Sequence, residues 1–362
     1  LKLKILVEIG HPAHTHFFKH AIALWKARGH DLLVVSRQKD LTLPLLDAYG
    51  IHSVCISKAG TGLVGLVREM LIRDLRLWRL ARQFRPHIMT SIGGTWIAQV
   101  GKLTRTPSIV FYDTENAVLS NTITYPLVAA LCTPRCYQGE TGLGKRHLRY
   151  PGYHELAYLH PNRFQPHRAL LAQFDISQDT PYSIVRLVGW ASGHDIGEKG
   201  IPREHRKALL ALLSAHGRVL VSSESPLPLD CAGCMPIGRP EHIHHLIAFA
   251  DMVVGESATV ASEAAMLGVP AIYIADTGRG YITEQQNLYG LSYHYTNRDT
   301  EAALSKIRDL LNDDTRRDVW QEKRERMLED CIDVTGFVVD LIENFPESLT
   351  RFRNRWASIQ QP

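Results

Sequence analysis

Short apolar, β-branched runs alternate with longer segments of helical periodicity along most of the chain, and this alternation restricts the fold more than any other feature. Parallel strands need crossover connections of a dozen or more residues, usually helices, so the pattern predicts parallel sheets covered by helices. Strand candidates in the first series are 3–9, 31–36, 53–56, 87–92 and 108–112, with helices near 16–28, 41–49, 63–84, 95–104 and 120–131. The rhythm breaks over 150–182, where Pro151, Pro161, Pro166 and Pro181 cluster. A second series follows, with strands at 183–189, 218–222, 252–254 and 271–274. Its helices are expected at 203–215, 242–249, 259–267, 283–290 and 299–330, and a last helix at 334–344 precedes the tail TRFRNRW.

The fold class is therefore α/β, with two Rossmann-like doubly wound domains facing across a cleft. We expect one domain over 1–160 and a second over 180–335. A terminal helix and basic tail, 336–362, are expected to pack back on the first domain. Ligands of such sheets bind beyond the carboxyl ends of the strands, so the site is expected in the cleft. With 45% hydrophobic and 22% charged residues among 362, the chain has material for two cores. That balance excludes a disordered, collagen-like or disulfide-stapled chain. No apolar run approaches the ~20 residues of a membrane-spanning helix, and no signal-peptide pattern opens the sequence. A cytoplasmic location follows as the expectation. The six cysteines are then thiols, and Cys231 and Cys234 lack the second pair that a zinc site would need.

The net charge is only +4, but it is concentrated: residues 60–85 hold six arginines against two acids. In the helix expected there, Leu63, Val67, Leu71, Leu75 and Trp78 form an apolar stripe. Arg68, Arg73, Arg76, Arg79 and Arg82 occupy much of the remainder. Such a helix is either a membrane-surface element or a packed helix with a solvated arginine face.

Three turns at strand ends carry the chemistry of the first domain. After the first strand comes Gly10-His11-Pro12-Ala13-His14, which sets His14 at the start of a helix. The helix dipole there favours a neutral imidazole and suits a general base. Ser91-Ile92-Gly93-Gly94-Thr95 and Asp113-Thr114-Glu115-Asn116 follow later strands on the same edge. His14, His11, Asp113 and Glu115 are the catalytic candidates, and Gly93, Gly94, Thr95 and Asn116 the acceptor-cleft candidates. No metal or cofactor is expected, because the histidine spacing matches no compact zinc motif.

In the second domain a short strand runs into Gly255-Glu256-Ser257-Ala258-Thr259 and then a helix. Free N–H groups at such a helix start bind anions, and Ser257 and Thr259 add hydroxyls. Taken singly, either residue reads as a helix cap. Glu263 lies one turn further, where a carboxylate could hold a ribose diol. Glu284, Gln285 and Gln286 follow the next strand. Arg186 and His194, in VRLVGWASGHDIGEKG, could neutralise a leaving diphosphate. The chain lacks a phosphate-loop GK[ST] motif and a complete GxGxxG, which argues against an NTPase or a dinucleotide dehydrogenase.

The stretch RPHIMTSIGGTWIAQVGKLTRTPSIVFYDTENA resembles the N-acetylglucosaminyltransferases that complete lipid II, with their double-glycine turn and Pro-led strand. GHPAHTHFFKHAI, PGYHELAYLHPNRF and GWASGHDIGEKG resemble an uncharacterised bacterial and archaeal family grouped with the GT-B glycosyltransferases. The Arg186–His194 region is similar to that of UDP-N-acetylglucosamine 2-epimerases. The resemblance implies a nucleotide-sugar enzyme in which the Ser257 helix start holds the diphosphate, Glu263 the ribose, and Glu284, Gln285 and Gln286 the sugar. The expected reaction is metal-independent transfer from a nucleotide sugar, UDP-linked by expectation, to a hydroxyl acceptor, with a lipid- or polysaccharide-linked one in view. His14 would take the acceptor proton. The alternatives are a nucleotide-sugar 2-epimerase and a non-catalytic sugar-nucleotide-binding protein. No nucleic-acid partner is expected.

Overall fold

The computed structural model describes residues 2–58, 62–115, 118–188, 200–223, 235–236 and 239–360. The chain divides into two units, Leu1–Tyr158 with Ile332–Pro362, and Leu159–Cys331.

The first unit begins β1 (Lys4–Ile9), α1 (Pro12–Ala27), β2 (Asp31–Gln38), α2 (Thr42–Ala48), β3 (Val54–Lys58) and α3 (Gly62–Phe84). It continues β4 (Ile88–Ile92), α4 (Thr95–Thr104), β5 (Ser108–Phe111), α5 (Val118–Thr124), β6 (Ala130–Pro134), β7 (His147–Tyr150) and α6 (Leu156–Leu159). Its sheet has the order β3-β2-β1-β4-β5-β6-β7, and every pairing is parallel. Strand order reverses between β1 and β4, the point at which open α/β sheets form a ligand crevice. Leu6, Ile56, Leu77, Met89, Ile97 and Val110 belong to one core cluster of this unit.

The second unit comprises β8 (Tyr182–Leu187), α7 (Arg203–Ser214), β9 (Arg218–Ser223), β10 (Met235–Pro236), α8 (Ile243–Ala248), β11 (Met252–Gly255) and α9 (Ala258–Met266). Then come β12 (Ala271–Ile274), α10 (Gly280–Glu284), β13 (Ser292–Tyr295), α11 (Thr300–Leu311) and α12 (Arg316–Glu329). The sheet order is β10-β9-β8-β11-β12-β13, again all parallel. The chain then closes with α13 (Val334–Glu343) and α14 (Glu347–Arg355), which belong to the first unit. Phe337 of α13 packs 6.2 Å from Phe111, 5.1 Å from Tyr150 and 5.0 Å from Phe352. Burying such a ring contributes about 1.5–3 kcal/mol.

Four expectations need correction. The helix placed at 120–131 is α5 and a 3-10 turn, Tyr125–Leu127, after which the apolar run becomes β6. Pro126 stops the helix, and a short apolar run of this kind suits a buried strand equally well. Strands β7, β10 and β13 have no counterpart among the expected strands. The long helix at 299–330 is two helices, separated where the Asp313 carboxylate accepts from the Thr315 N–H.

The fourth concerns the phase of α3. Leu75 is 46% exposed, whereas Glu69, Arg73, Leu77 and Ala81 are buried at successive i+4 positions. The inward stripe of this part of the helix therefore passes through a charged pair. Arg73 is 1% exposed and belongs to no solvated face, while Arg76, Arg79 and Arg82 are exposed. The side chains of Leu63, Val67, Arg68 and Leu71 lie outside the described residues.

Candidate functional site

At the carboxyl edge of the first sheet, Glu8 is buried near the end of β1 and pairs with Arg73 while accepting from the Ser91 hydroxyl. Arg73 also lies 3.9 Å from Glu69, which Arg37 grips with two bonds of 2.6 and 2.7 Å. The Arg73 guanidinium stacks 3.5 Å from the Trp96 ring centre. A Cβ on Gly10 would stand 3.2 Å from Arg73 Nη2 and 3.8 Å from the His14 ring. The β1–α1 turn thus rests directly on a buried ion network.

His11 caps α1, its Nδ1 accepting from the Ala13 N–H at 3.2 Å. His14 Nδ1 accepts from the Gly10 N–H, also at 3.2 Å. A nitrogen that accepts a hydrogen bond carries no proton in the neutral ring, so the His14 proton sits on Nε2. Burial holds the imidazole well below the ordinary histidine range, aided by His11, His154 and Arg73 and opposed by the Asp113 carboxylate. His14 consequently presents an N–H donor where the sequence suggested a general base.

Asp113 follows β5 with its side chain 22% exposed. Its Oδ2 lies 3.1 Å from His154 Nδ1, and its Oδ1 accepts from the Thr114 hydroxyl at 3.0 Å. Burial pushes the carboxyl up, but His154 and the Thr114 hydrogen bond outweigh it and leave the group below its usual value. The His154 ring packs 4.9 Å from Phe17, which lies three residues beyond His14 on α1. Glu115 accepts from the Gln138 N–H at 3.4 Å.

Gly93 and Gly94 adopt positive φ values of 74° and 66°. A Cβ on Gly94 would meet Val110 Cγ2 at 2.3 Å, so the turn between β4 and α4 admits only glycine there. The Thr95 hydroxyl faces α5, bonded to Ser120 at 3.0 Å and Thr124 at 2.8 Å. Asn116 lies outside the described residues.

In the second unit, β11 ends at Gly255, where a Cβ would stand 2.1 Å from the Arg186 carbonyl oxygen. Ser257 caps α9, its side chain accepting from the Val260 N–H at 3.4 Å. Ala258 and Thr259 follow in the first turn. Glu256 is buried and accepts from Val188 N–H at 2.7 Å and Ile201 N–H at 2.6 Å, which turns its charge toward these two backbone amides. Arg186 reaches the Ser222 hydroxyl at 2.7 Å.

Glu263 is buried and lies 3.0 Å from His244 Nε2. Glu284 closes α10. Gln285 is fully buried, donating to Ser262 Oγ at 2.7 Å and accepting from Ser292 at 3.4 Å. Gln286 accepts from the His294 N–H at 2.9 Å. The Gln285 amide thus braces α9 and β13 within the unit, and Gln286 Oε1 supports β13. His194, Cys231 and Cys234 lie outside the described residues.

The sequence reading overlooked Glu8, Arg73 and His154. The i+4 series from Glu69 to Ala81 was the available signal for Arg73, whereas His154, four residues past the unforeseen β7, had none. Among the described residues, no group of three or more His, Cys, Asp or Glu side chains could hold a metal ion, and no helix is long and apolar enough to cross a membrane.

The profile of a family described as "Protein of unknown function (DUF354)" matches residues 3–186. An uncharacterized protein of Methanocaldococcus jannaschii is 21% identical, over 86% of this chain and 91% of its own length. Among solved structures, a Listeria monocytogenes protein assigned as UDP-N-acetylglucosamine 2-epimerase superposes with a TM-score of 0.69 at 12% identity, covering 96% of this chain and 98% of its own. The UDP-GlcNAc 2-epimerase from Neisseria meningitidis bound to UDP-GlcNAc gives 0.63 at 13% identity, over 96% and 100%. Spinosyn rhamnosyltransferase complexed with thymidine diphosphate gives 0.61 at 13% identity, over 94% and 100%. At such identities the likeness establishes the fold, two parallel α/β sheets of the GT-B class.

Proposed function

The chain belongs to the DUF354 family, and from that premise we propose that it is a metal-independent glycosyltransferase moving a sugar from a nucleotide donor, UDP-linked by preference, to a hydroxyl acceptor. The observation that carries this reading is the placement, at the carboxyl edge of the first sheet, of the half-buried His14 imidazole, its Nδ1 taken by the Gly10 N–H, within the electrostatic influence of the Asp113 carboxylate that His154 holds. One group that donates and one that accepts, on the sheet edge beside the strand-order reversal, suit proton transfer at a sugar hydroxyl. His11 and the Gly93–Gly94 turn share that edge.

In the second unit, the first-turn amides of α9, with Ser257 and Thr259, would hold the donor diphosphate. Arg186 would add positive charge, Glu263 would meet the ribose, and Glu284 the sugar. The GT-B fold, shared with a rhamnosyltransferase and with UDP-GlcNAc 2-epimerases, supports a sugar-nucleotide ligand. The exposed face of α3, with Leu75 beside Arg76, Arg79 and Arg82, favours an anionic membrane surface and hence a lipid-linked acceptor.

The test is a panel of UDP, GDP, CDP and dTDP with their sugars, scored by thermal shift and then by turnover with and without hydroxyl acceptors. Stabilisation by one nucleotide and acceptor-dependent release of its diphosphate are expected. The carboxylate–imidazole contact between Asp113 and His154 would also serve proton transfer at a sugar carbon. Conversion of a nucleotide sugar without acceptor would therefore replace transfer with 2-epimerisation. No stabilisation by any nucleotide would refute both.

A further inference from the structure

We propose that Asp113, held in place by His154, is the group that accepts the acceptor's proton, and that His14 assists as a hydrogen-bond donor. This assignment deepens the transferase reading and rests on it for the identity of the reaction.

The argument is geometric. The Gly10 N–H occupies His14 Nδ1, so the only other ring nitrogen carries the proton and has no lone pair to offer. Four charged or titratable groups act on His14: His11 from the head of α1, Arg73 from α3, Asp113 from the end of β5 and His154 from beyond β7. Three of them oppose protonation, so the donor tautomer persists through neutral pH. Asp113 is the partly exposed acid of the group, and as an ionised carboxylate it has only acceptor sites.

His154 explains why Asp113 stays there. Its Nδ1–H points to Asp113 Oδ2, and its ring is fixed between Phe17 at 4.9 Å and a parallel Tyr150 at 6.5 Å. His154 Nε2 is buried, which leaves that nitrogen no path to a substrate. His154 is therefore a positioning residue. In the transfer step, the acceptor oxygen forms a bond to the anomeric carbon while the bond from that carbon to the diphosphate oxygen breaks. The nucleotide diphosphate leaves with the electron pair, and the hydroxyl proton passes to Asp113. His14 Nε2–H donates to the oxygen being positioned.

Nitrogen-15 correlation spectra of histidine-labelled protein test the assignment without substrate. His14 should show the Nε2–H tautomer and His154 the Nδ1–H tautomer; a His14 ring protonated on Nδ1 would overturn the proposal. Turnover gives the second arm. Asp113→Asn should lose about a thousandfold in kcat, whereas His14→Gln, which keeps a donor and removes any base, should lose about tenfold. The reverse order refutes the assignment.

His154→Asn preserves a donor near the Nδ1 position and should restore most of the kcat that His154→Phe loses, with KM for the nucleotide sugar unchanged in both. Equal losses in the two variants would count against positioning. Should the Phe variant fail to fold, His154→Gln, whose amide sits near the Nε2 position, takes its place. Absence of turnover by the wild type would sink the transferase reading, while a wrong tautomer at His14, read from the free protein, would overturn the present assignment independently of it.

Discussion

Replacing Arg73 with methionine should destabilise the first unit far more than a change at the exposed Arg76, Arg79 or Arg82 of α3. Arg73 is 1% exposed, and its two carboxylate neighbours, Glu8 and Glu69, have side chains 2% and 5% exposed. Methionine fills much of the volume and removes the charge. Glu69 keeps Arg37 and the Ser57 hydroxyl, so the loss falls on Glu8, for which the described hydrogen bond from Ser91 remains. Leaving one carboxylate of a buried pair uncompensated costs about 3–5 kcal/mol. The lost stack on Trp96 adds about 1 kcal/mol. Against a typical total of about 5–15 kcal/mol, that is a large share. Urea unfolding followed by tryptophan fluorescence would measure it, with Arg79→Met as an exposed control expected within about 0.5 kcal/mol of wild type. Combining Arg73→Met with Glu8→Gln removes the stranded charge and should recover most of the loss. A single-variant cost under about 1 kcal/mol would show that Arg73 is solvated and that the inward stripe of α3 is misplaced. So would a double variant no better than the single one.

Gly94→Ala combines a positive φ of 66° with a methyl group 2.3 Å from Val110, and it should cost about 2–4 kcal/mol. A melting temperature within a degree of wild type would contradict that geometry. His147 titrates at about 4, pushed down mainly by burial and further by Arg149 and Arg353. The unfolded chain then binds the extra proton between about pH 6.5 and pH 4, so stability from this group is complete above that window and disappears as pH falls through it. The depression corresponds to at most about 3 kcal/mol. His147→Gln should flatten the pH dependence of the urea midpoint between pH 7 and 4.5, and an unchanged slope would remove His147 as its source.

The sequence displays the fold well because strand–helix alternation is a property of hydrophobic periodicity, and periodicity survives without tertiary knowledge. It fails where a short apolar run fits two states. Residues 120–134 satisfy both a helix and a strand locally, and pairing of β6 with β5 and β7 decides between them. It fails again on α3, where counting apolar residues selected Leu75 and passed over Arg73. A buried arginine is affordable only because Glu8 lies on β1, sixty-five positions away, and no local pattern contains that partner. Gln285 shows the same blindness from the other side. An acid-and-amide run resembled a sugar-reading turn, yet Ser262 and Ser292 claim the amide.

Position and role also part company at His14. A histidine at the head of a helix, on the carboxyl edge of a parallel sheet, is identifiable from its neighbours in sequence. Which of its nitrogens holds the proton is not, because that depends on a second partner. Here the partner is the N–H of Gly10, four residues earlier, and a single hydrogen bond turns a nominal base into a donor. Under the proposed assignment the acceptor role passes to a group without a proton of its own. That group is Asp113, whose orientation is set by His154, more than forty residues later and one strand beyond β6. Under the proposed assignment the roles on this edge are distributed: the head of α1 would supply the donor, the end of β5 the acceptor, and the segment after β7 its orientation. A variant of His154 that loses its donor should therefore resemble one of Asp113 in kcat, although His154 itself has no route to the substrate.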